Sequence, residues 1–479
     1  MGQRENDGAV TYKDLSLSVR NVISIRRIEI TQEPGDHARM YVEAVLDSDM
    51  EENDFHEIEE QVFLVYEREE GSNILFYGII DQIRMEREGA DRLLYLNARD
   101  ATRQMDIERR SRAFQNPQMT VSQLVEEVMA AYPDADYKIH VADEPIGQLV
   151  IQYEETDWEF LKRFFSKYHV QLYPDTSYPV VRFQAGLSPA PEPWNWDDLP
   201  YELSQDFNWL EKMKQNGFAE LLASQSVSYQ LESYDIAVPG SQMTYKGNSW
   251  YLASVRRYLL DGNLRHSYCL KQPEGLYAVP YFNQRMTGIS IDGTVSATER
   301  DRVQVTMEID AGSDGTNHYW FPFSTVASSS DGSGWYCMPE QGESVRVFFP
   351  VDDEKEGYVI TSIKGHEPEA GNAADPMGNP AVRSIATQQN NQVQFTETGV
   401  VIAAGGENGS VLINKDGSVV LDGLLDITIA AAEAIQIMAG NELVLTSQTT
   451  IRLVSDAGSD IEVKSGEIGL HGMMIYENC

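Results

Sequence analysis

The chain has 479 residues, enough for several domains at about 100–200 residues each. Its apolar fraction of 42% supplies ordinary globular cores, and no stretch reaches the ~18 uninterrupted apolar residues of a spanning helix. Asp and Glu number 75 against 37 Lys and Arg, and the net charge of −38 argues against nucleic acid and anionic lipid as partners, since both need a positive footprint.

The first twenty residues are polar, without the apolar run of a leader, so synthesis in the cytoplasm is expected. Stretches 22–30, 40–46, 61–66, 74–85 and 92–98 are β-rich and alternate, with turn formers or charges between them; a small antiparallel sheet or barrel fits. A helix over 119–132 follows. Thr120 is its N-cap with Gln123 three residues on, Met119 staples against Leu124, and Val121, Leu124, Val125 and Val128 form the stripe that Pro133 ends. A second helix, 156–169, puts Trp158, Leu161 and Phe165 on one face with Phe160, Phe164 and Tyr168 beside it. Such an aromatic stripe reads as core, not as a cofactor site. The Pro-rich run 188–196 reads as a surface link carrying Trp194 and Trp196. Strands return at 227–231, 249–260 and 264–270, so 1–280 is expected to hold two β subdomains around the helices. Five short strands then fall within 281–365 (287–294, 302–309, 319–324, 345–349 and 357–363), which suits a closed barrel such as an OB-fold. Residues 366–390 are polar, without an apolar period, and read as a linker.

Residues 391–479 carry the most regular signal. Apolar pairs recur every eight residues: Val411/Ile413, Val419/Leu421, Ile427/Ile429, Ile435/Ile437, Leu443/Leu445 and Ile451/Leu453. The pairs Ile461/Val463 and Ile468/Leu470 follow after one longer and one shorter step. Residues two apart face one side of a strand. Turn formers separate many of the pairs, as at Lys415-Asp416-Gly417, Asp422-Gly423 and Gly440-Asn441. Eight extended residues reach only ~26 Å at roughly 3.3 Å each, one strand and a turn. That is too short for one chain to wrap a packed interior at every coil. Three chains winding together would set all the pairs on a common axis. The tail therefore reads as an intertwined trimeric β-helix with the twelve octad aliphatics on its axis. Twelve acids against three bases, net −9 from 391 onward, keep its outer surface solvated.

Chemistry is harder to find. No nucleophile elbow, phosphate loop or HExxH motif occurs, and no catalytic or cofactor-binding residue is assigned. Cys269, Cys337 and Cys479 are too few and too scattered for a disulfide framework or zinc site. His471 is the metal candidate, because threefold symmetry would bring three copies near the axis. The competing reading, a lone polar residue at a strand end, has the better base rate. The apolar end run Met473, Met474 and Ile475 is either a binding surface for a tip partner or plain end-packing of the trimer.

Several short motifs resemble one family. Trp335-Tyr336-Cys337-Met338-Pro339-Glu340-Gln341-Gly342-Glu343-Ser344-Val345-Arg346-Val347 resembles the "W…P..G..V.V" stretch of VgrG spike proteins, and Arg302-Val303-Gln304-Val305 is similar to the strand that opens the same OB-fold. Thr156-Asp157-Trp158-Glu159-Phe160-Leu161-Lys162-Arg163 resembles the family's "ETDWEFL.R" helix; Gly78-Ile79-Ile80-Asp81 and Arg112-Ala113-Phe114 resemble its hub region. The order of these motifs covers nearly the whole chain. The resemblance implies a mainly β, multidomain homotrimer: barrel-like hub subdomains with a helical insertion, an OB-fold barrel and a β-helix needle. It further implies a structural, non-enzymatic spike of a contractile injection system, assembled in the cytoplasm and delivered outside or into a target cell. The implied partners are inner tube protein, baseplate subunits, a PAAR-like tip protein, effectors and, transiently, a target membrane. The alternative is a trimeric phage tailspike that binds or depolymerises surface glycan. Those β-helices are single-chain with longer coils, and the eight-residue period argues against them.

Overall fold

The computed structural model describes residues 9–48, 55–68, 71–89, 91–310, 318–325, 337–361, 379, 381–387, 389–405, 408–456, 458–464 and 466–474. The chain divides into two compact units, Met1–Lys364 and Gly365–Cys479. Trp335, Tyr336, Ile475, Cys479 and residues 362–378 lie outside the described residues.

In the first unit, period-two alternation builds one large sheet. Ten strands are antiparallel neighbours in the order Leu15–Leu17, Gln61–Arg68, Gly71–Glu88, Asp91–Asp100, Arg39–Leu46, Val22–Gln32, Asn248–Leu260, Asn263–Lys271, Val227–Ser233 and Tyr201–Gln205. Ser241–Tyr245 pairs with Asn248–Leu260 off this path, and Ser188–Pro191 pairs with Ser241–Tyr245. The two expected β subdomains are thus fused. They join where Glu29 to Gln32 pair with Val255 to Tyr258. Inward-facing Ile28, Ile30, Met40, Val42, Leu64, Leu94 and Leu96 fill the core of the first half, all essentially inaccessible. Trp196, Tyr245, Leu252, Tyr268 and Leu270 fill the second.

Among the described residues three α-helices interrupt the strands: α1 Val121–Met129, α2 Asp157–Ser166 and α3 Phe207–Gln215. α1 and α2 both begin with a capping box, Thr120 with Gln123 and Thr156 with Glu159, which satisfies orphan N–H groups of the first turn. α3 is capped by Asp206, whose Oδ1 accepts from the Trp209 N–H at 2.9 Å. It was not expected from the sequence. Leu210 and Met213 bury against Leu221 in a small satellite core, an i, i+3 signal too short to stand out.

The Pro-rich run is not simply a surface link. Ser188–Pro191 forms a strand, and Trp196 is buried, stacked on Tyr268 at 4.8 Å with its Nε1–H donating to Asp235 Oδ2 at 2.8 Å. A large aromatic with a polar handle anchors wherever both needs are met, whatever its neighbours' composition.

The next five strands lie in the order Trp320–Pro322, Arg302–Met307, Ile289–Glu299, Ser344–Phe349 and Tyr358–Thr361. A bridge from Phe323 to Val359 joins the two ends, so the sheet closes into a five-stranded barrel as expected. Val303, Val305, Phe321, Val347, Phe349 and Val359 are inaccessible inside it.

The described residues of the second unit form two antiparallel meanders. Arg383–Ala386, Gln392–Phe395, Gly399–Ala404, Gly409–Asn414 and Val419–Gly423 pair in chain order, as do Thr450–Ser455, Ser459–Lys464 and Glu467–His471. The stretch read as a linker, 366–390, therefore contributes the first tail strand. The pairs at 411–421 and 451–470 meet within one chain, where the octad reading winds them between chains. The reason is local. Asn414 and Ser418 close a tight hairpin, the Asn414 N–H donating to the Ser418 carbonyl at 2.8 Å, and Gly417 takes the positive φ of +89° that the reversal needs. Residues 424–449 contain no strand.

Candidate functional site

Antiparallel partners directly opposite each other project to the same face of a sheet. In the five-stranded meander the register sets Ile385, Val393, Ile402, Val411 and Leu421 in one lane, and Phe395, Val400, Ile413 and Val419 in the next, with Arg383 at its end. The three-stranded meander repeats the arrangement, with Ile451, Val463 and Ile468 in one lane and Leu453, Ile461 and Leu470 in the other. The octad pairs Val411/Ile413, Val419/Leu421 and Ile451/Leu453 are thus brought together with neighbours that the period alone did not include. In the single chain the lanes face solvent: Val419 is 62% exposed, Leu421 55% and Leu453 56%. Ile427, Ile429, Ile435, Ile437, Leu443 and Leu445 are exposed as well, with no strand to set them in a lane.

At the far end, Met473 and Met474 are exposed. His471 ends the last strand with its Nδ1 3.4 Å from Asp460 Oδ1. Among the described residues, no group of three or more His, Cys, Asp or Glu is placed to hold a metal ion.

The motifs of the first unit prove to be packing devices. A Cβ on Gly78 would lie 2.2 Å from the Arg99 carbonyl oxygen, so only glycine lets these strands approach. Asp81, three residues on, receives Arg99 at 2.7 and 2.9 Å and Arg103 at 2.7 Å. Burial works to raise the Asp81 carboxyl, but the hydrogen bonds and charge of Arg99 hold it below the usual range. Phe114 stacks on Phe160 of α2 at 5.6 Å, while Arg112 and Tyr132 both reach the buried Asp157. Trp158 stacks on His37 at 5.0 Å.

Arg163 of α2 is the residue whose role the sequence did not reveal. It is inaccessible to solvent, yet fully paired: Nε and Nη2 donate to Glu155 at 2.7 Å each, Nη1 to Glu354 at 2.6 Å, and Nη2 also to the Ile151 carbonyl. Lys167 adds a 3.1 Å contact to Glu354. Glu354 sits in a short turn between the last two strands of the barrel, so this network ties α2 to the barrel. Burial works to raise the Glu354 carboxyl, but the charges of Arg163 and Lys167 overcome it and hold it below the usual range. The available signal was a cation in the middle of an aromatic helix face, which buries only when paired. Gln115 adds a second tie, donating to the Val305 carbonyl at 2.8 Å and to Asp310 at 2.6 Å.

Comparison with known proteins gives these parts a context. Residues 39–173 match the phage tail baseplate hub (GPD) family, and residues 291–363 match the type VI secretion system/phage-baseplate injector OB domain. The likeness to VgrG spike proteins read from the motifs thus holds over the hub and the barrel. Among solved structures, the Escherichia coli c3393 protein, a component of the type VI secretion system, is similar at 13% identity. The match covers 72% of this chain and 99% of that one, with a TM-score of 0.49. A Francisella PdpA–VgrG complex is similar at 9% identity, covering 86% of this chain and 88% of that one, with a TM-score of 0.49. A tail protein of Neisseria meningitidis MC58 is similar at 14% identity, covering 57% and 99%, with a TM-score of 0.39. A search of curated proteins found no match.

Proposed function

We propose that this spike-like baseplate-hub protein works as a homotrimer in a contractile injection system. It joins inner tube and baseplate subunits to a membrane-puncturing tip, and carries a tip protein or effectors. One observation carries the reading: behind a hub and an injector OB domain, in that order, comes a tail whose in-register aliphatic lanes stand bare in the single chain. Burying an aliphatic side chain contributes roughly 1.5–3 kcal/mol, so lanes of this length gain most by covering each other about a common axis. Met473, Met474 and Ile475 would then form the apolar end on which a PAAR-like tip protein seats. His471 stands beside that end in three copies. The spike acts mechanically, without a catalytic step, and meets the target membrane only during the thrust. Assembly takes place in the cytoplasm before the particle delivers it.

Light scattering of the purified full chain tests the assembly and is expected to return three times the chain mass. A monomer at micromolar concentration overturns the reading. A polysaccharide cleavage assay separates it from a glycan-degrading tailspike, and no release of sugar is expected.

A further inference from the structure

Between the two halves of the large sheet lies a buried polar layer that takes no part in the ties to the barrel. Leu264, His266 and Tyr268 alternate onto one face of Asn263–Lys271. Leu264 packs in the core of the first half and Tyr268 in that of the second, so His266 stands where the two cores meet. Directly opposite it are Arg257 on one side and Ser233 on the other. His266, Arg257 and Gln32 are all buried. Arg257 reaches across the seam: Nη1 donates to Gln32 Oε1, while Nη2 donates to the Ala237 carbonyl at 2.9 Å. Gln32 Nε2 donates on to the Pro174 carbonyl at 3.2 Å. The ladder that this layer backs is short, four residue pairs between Glu29–Gln32 and Val255–Tyr258. We propose that the layer is an acid-sensitive catch. At neutral pH it holds the two halves of the hub sheet together, and in mild acid a proton on His266, set against the Arg257 guanidinium, opens the seam while the barrel stays folded.

The surroundings of the imidazole are set against a positive charge. Among the described residues neither of its ring nitrogens has a hydrogen-bond partner. The groups packed round it are Arg257 on Asn248–Leu260, Arg68 at the end of Gln61–Arg68, Ser233 on Val227–Ser233, and the Tyr268 ring of its own strand at 6.1 Å. The carboxylates of the region are engaged elsewhere. Asp235 accepts from Trp196 and Ser233, Asp175 pairs with Arg182, Glu232 with Arg265 and Glu29 with Arg256. Asp175 and Tyr66 act on the charge of Arg257. Burial, and then the charges of Arg257 and Arg68, keep His266 neutral well below the ordinary histidine range. Once the strands part, the ring takes a proton near pH 6.5, the ordinary value of about 6.5 for histidine. The stability of the closed seam is therefore complete above about pH 6.5 and is lost as pH falls from there towards the folded value. Carboxylates weaken a fold in acid only below about pH 4.3, so a loss in the window above that belongs to histidine. Every group in this layer lies within Met1–Lys364, so the device does not depend on how the tail assembles.

Hydrogen exchange on the full-length chain, read by mass spectrometry at about pH 7.5 and about pH 5 and corrected for the intrinsic pH dependence of exchange, tests the catch. Protection of the amides in 29–32 and 255–258 is expected to fall about tenfold or more in acid. Each unit of pH below the ordinary histidine value shifts the opening equilibrium by up to about tenfold while the closed form stays neutral. The barrel strand Arg302–Met307 is expected to keep its protection. His266→Gln, which takes no proton, is expected to abolish the difference at the seam. Unchanged seam protection in the parent, an equal loss in His266→Gln, or simultaneous loss at seam and barrel overturns the proposal. If His266→Gln does not fold, Ser233→Asp serves in its place, because a carboxylate directly opposite His266 pairs with the charged ring. Acid is then expected to leave the seam closed, and an undiminished acid loss in that variant overturns the proposal as well.

Discussion

Arg163 shows how one charged side chain is made to fit an aromatic helix face. Its guanidinium has no solvent, so each of its bonds replaces one lost to water, and Glu155 and Glu354 balance it from the hub and the barrel respectively. Removing one member of such a buried network leaves the others charged and unpaired, at a cost of about 3–5 kcal/mol. Arg163→Ala is therefore expected to lower the thermal midpoint of the hub–barrel unit by several degrees in calorimetry, and Arg163→Lys to recover only part of the loss because one ammonium cannot serve both carboxylates. The same network sets an acid response. The folded-state carboxyl of Glu354 lies below its unfolded value, so the stability it contributes is complete above about pH 4.3 and is lost as pH falls from there through the folded value. Thermal scans from pH 7 down to pH 3 are expected to show this decline. Glu354→Gln, less stable at pH 7, should show a shallower one.

At the scale of elements, the two capping boxes make a graded prediction. Thr120 caps α1, its hydroxyl accepting from the Gln123 N–H at 3.4 Å and meeting the Ser122 hydroxyl of the same first turn at 3.2 Å, and losing a Thr cap costs about 1 kcal/mol. Thr156 caps α2 and in addition donates its hydroxyl to Asp106 Oδ1 at 2.5 Å, which fastens the helix start to the turn Ala101–Asp106. Thr156→Ala is expected to lower the urea midpoint more than Thr120→Ala does, with the m-value unchanged, and Ser at either site to restore most of it. The Thr120 cap was legible in the sequence because both participants lie within three residues, whereas at Thr156 only the start of the helix was read. Also legible were most strand positions along the chain and the barrel, which depend on local alternation. The seam that joins Glu29–Gln32 to Val255–Tyr258 was not, since nothing local in either strand names a partner more than two hundred residues away. Trp196 and α3 were hidden for another reason: one sits in a proline-rich run, and the other buries only Leu210 and Met213, too few to make a periodic stripe. In the tail, the period was legible and the apolar pairs do lie on common faces. Whether a pair meets its neighbour within a chain depends on the turn between them, and Lys415-Asp416-Gly417 makes a hairpin where Asp422-Gly423 leads into residues 424–449, which contain no strand.

On the scale of the whole molecule, the division into two units separates what one chain can complete from what it cannot. The hub and barrel bury their own aliphatics, whereas the tail leaves its lanes outside. Ile435 is the sharpest place to probe this, because it lies within 424–449, where no strand sets it in a lane of its own chain. In a trimer Ile435→Asp would set three carboxylates together in an apolar seam. An ionised carboxylate without partners is not tolerated there, and three in proximity repel as well. The variant is expected to sediment as a monomer, with the hub–barrel unit still melting as in the parent. Gln436→Asp moves the same charge one residue along, to the other face of the strand, and is expected to leave the trimer intact. If both variants sediment as trimers, position 435 does not face the axis. If both are monomers, the effect is one of charge in an already acidic tail and not of the seam.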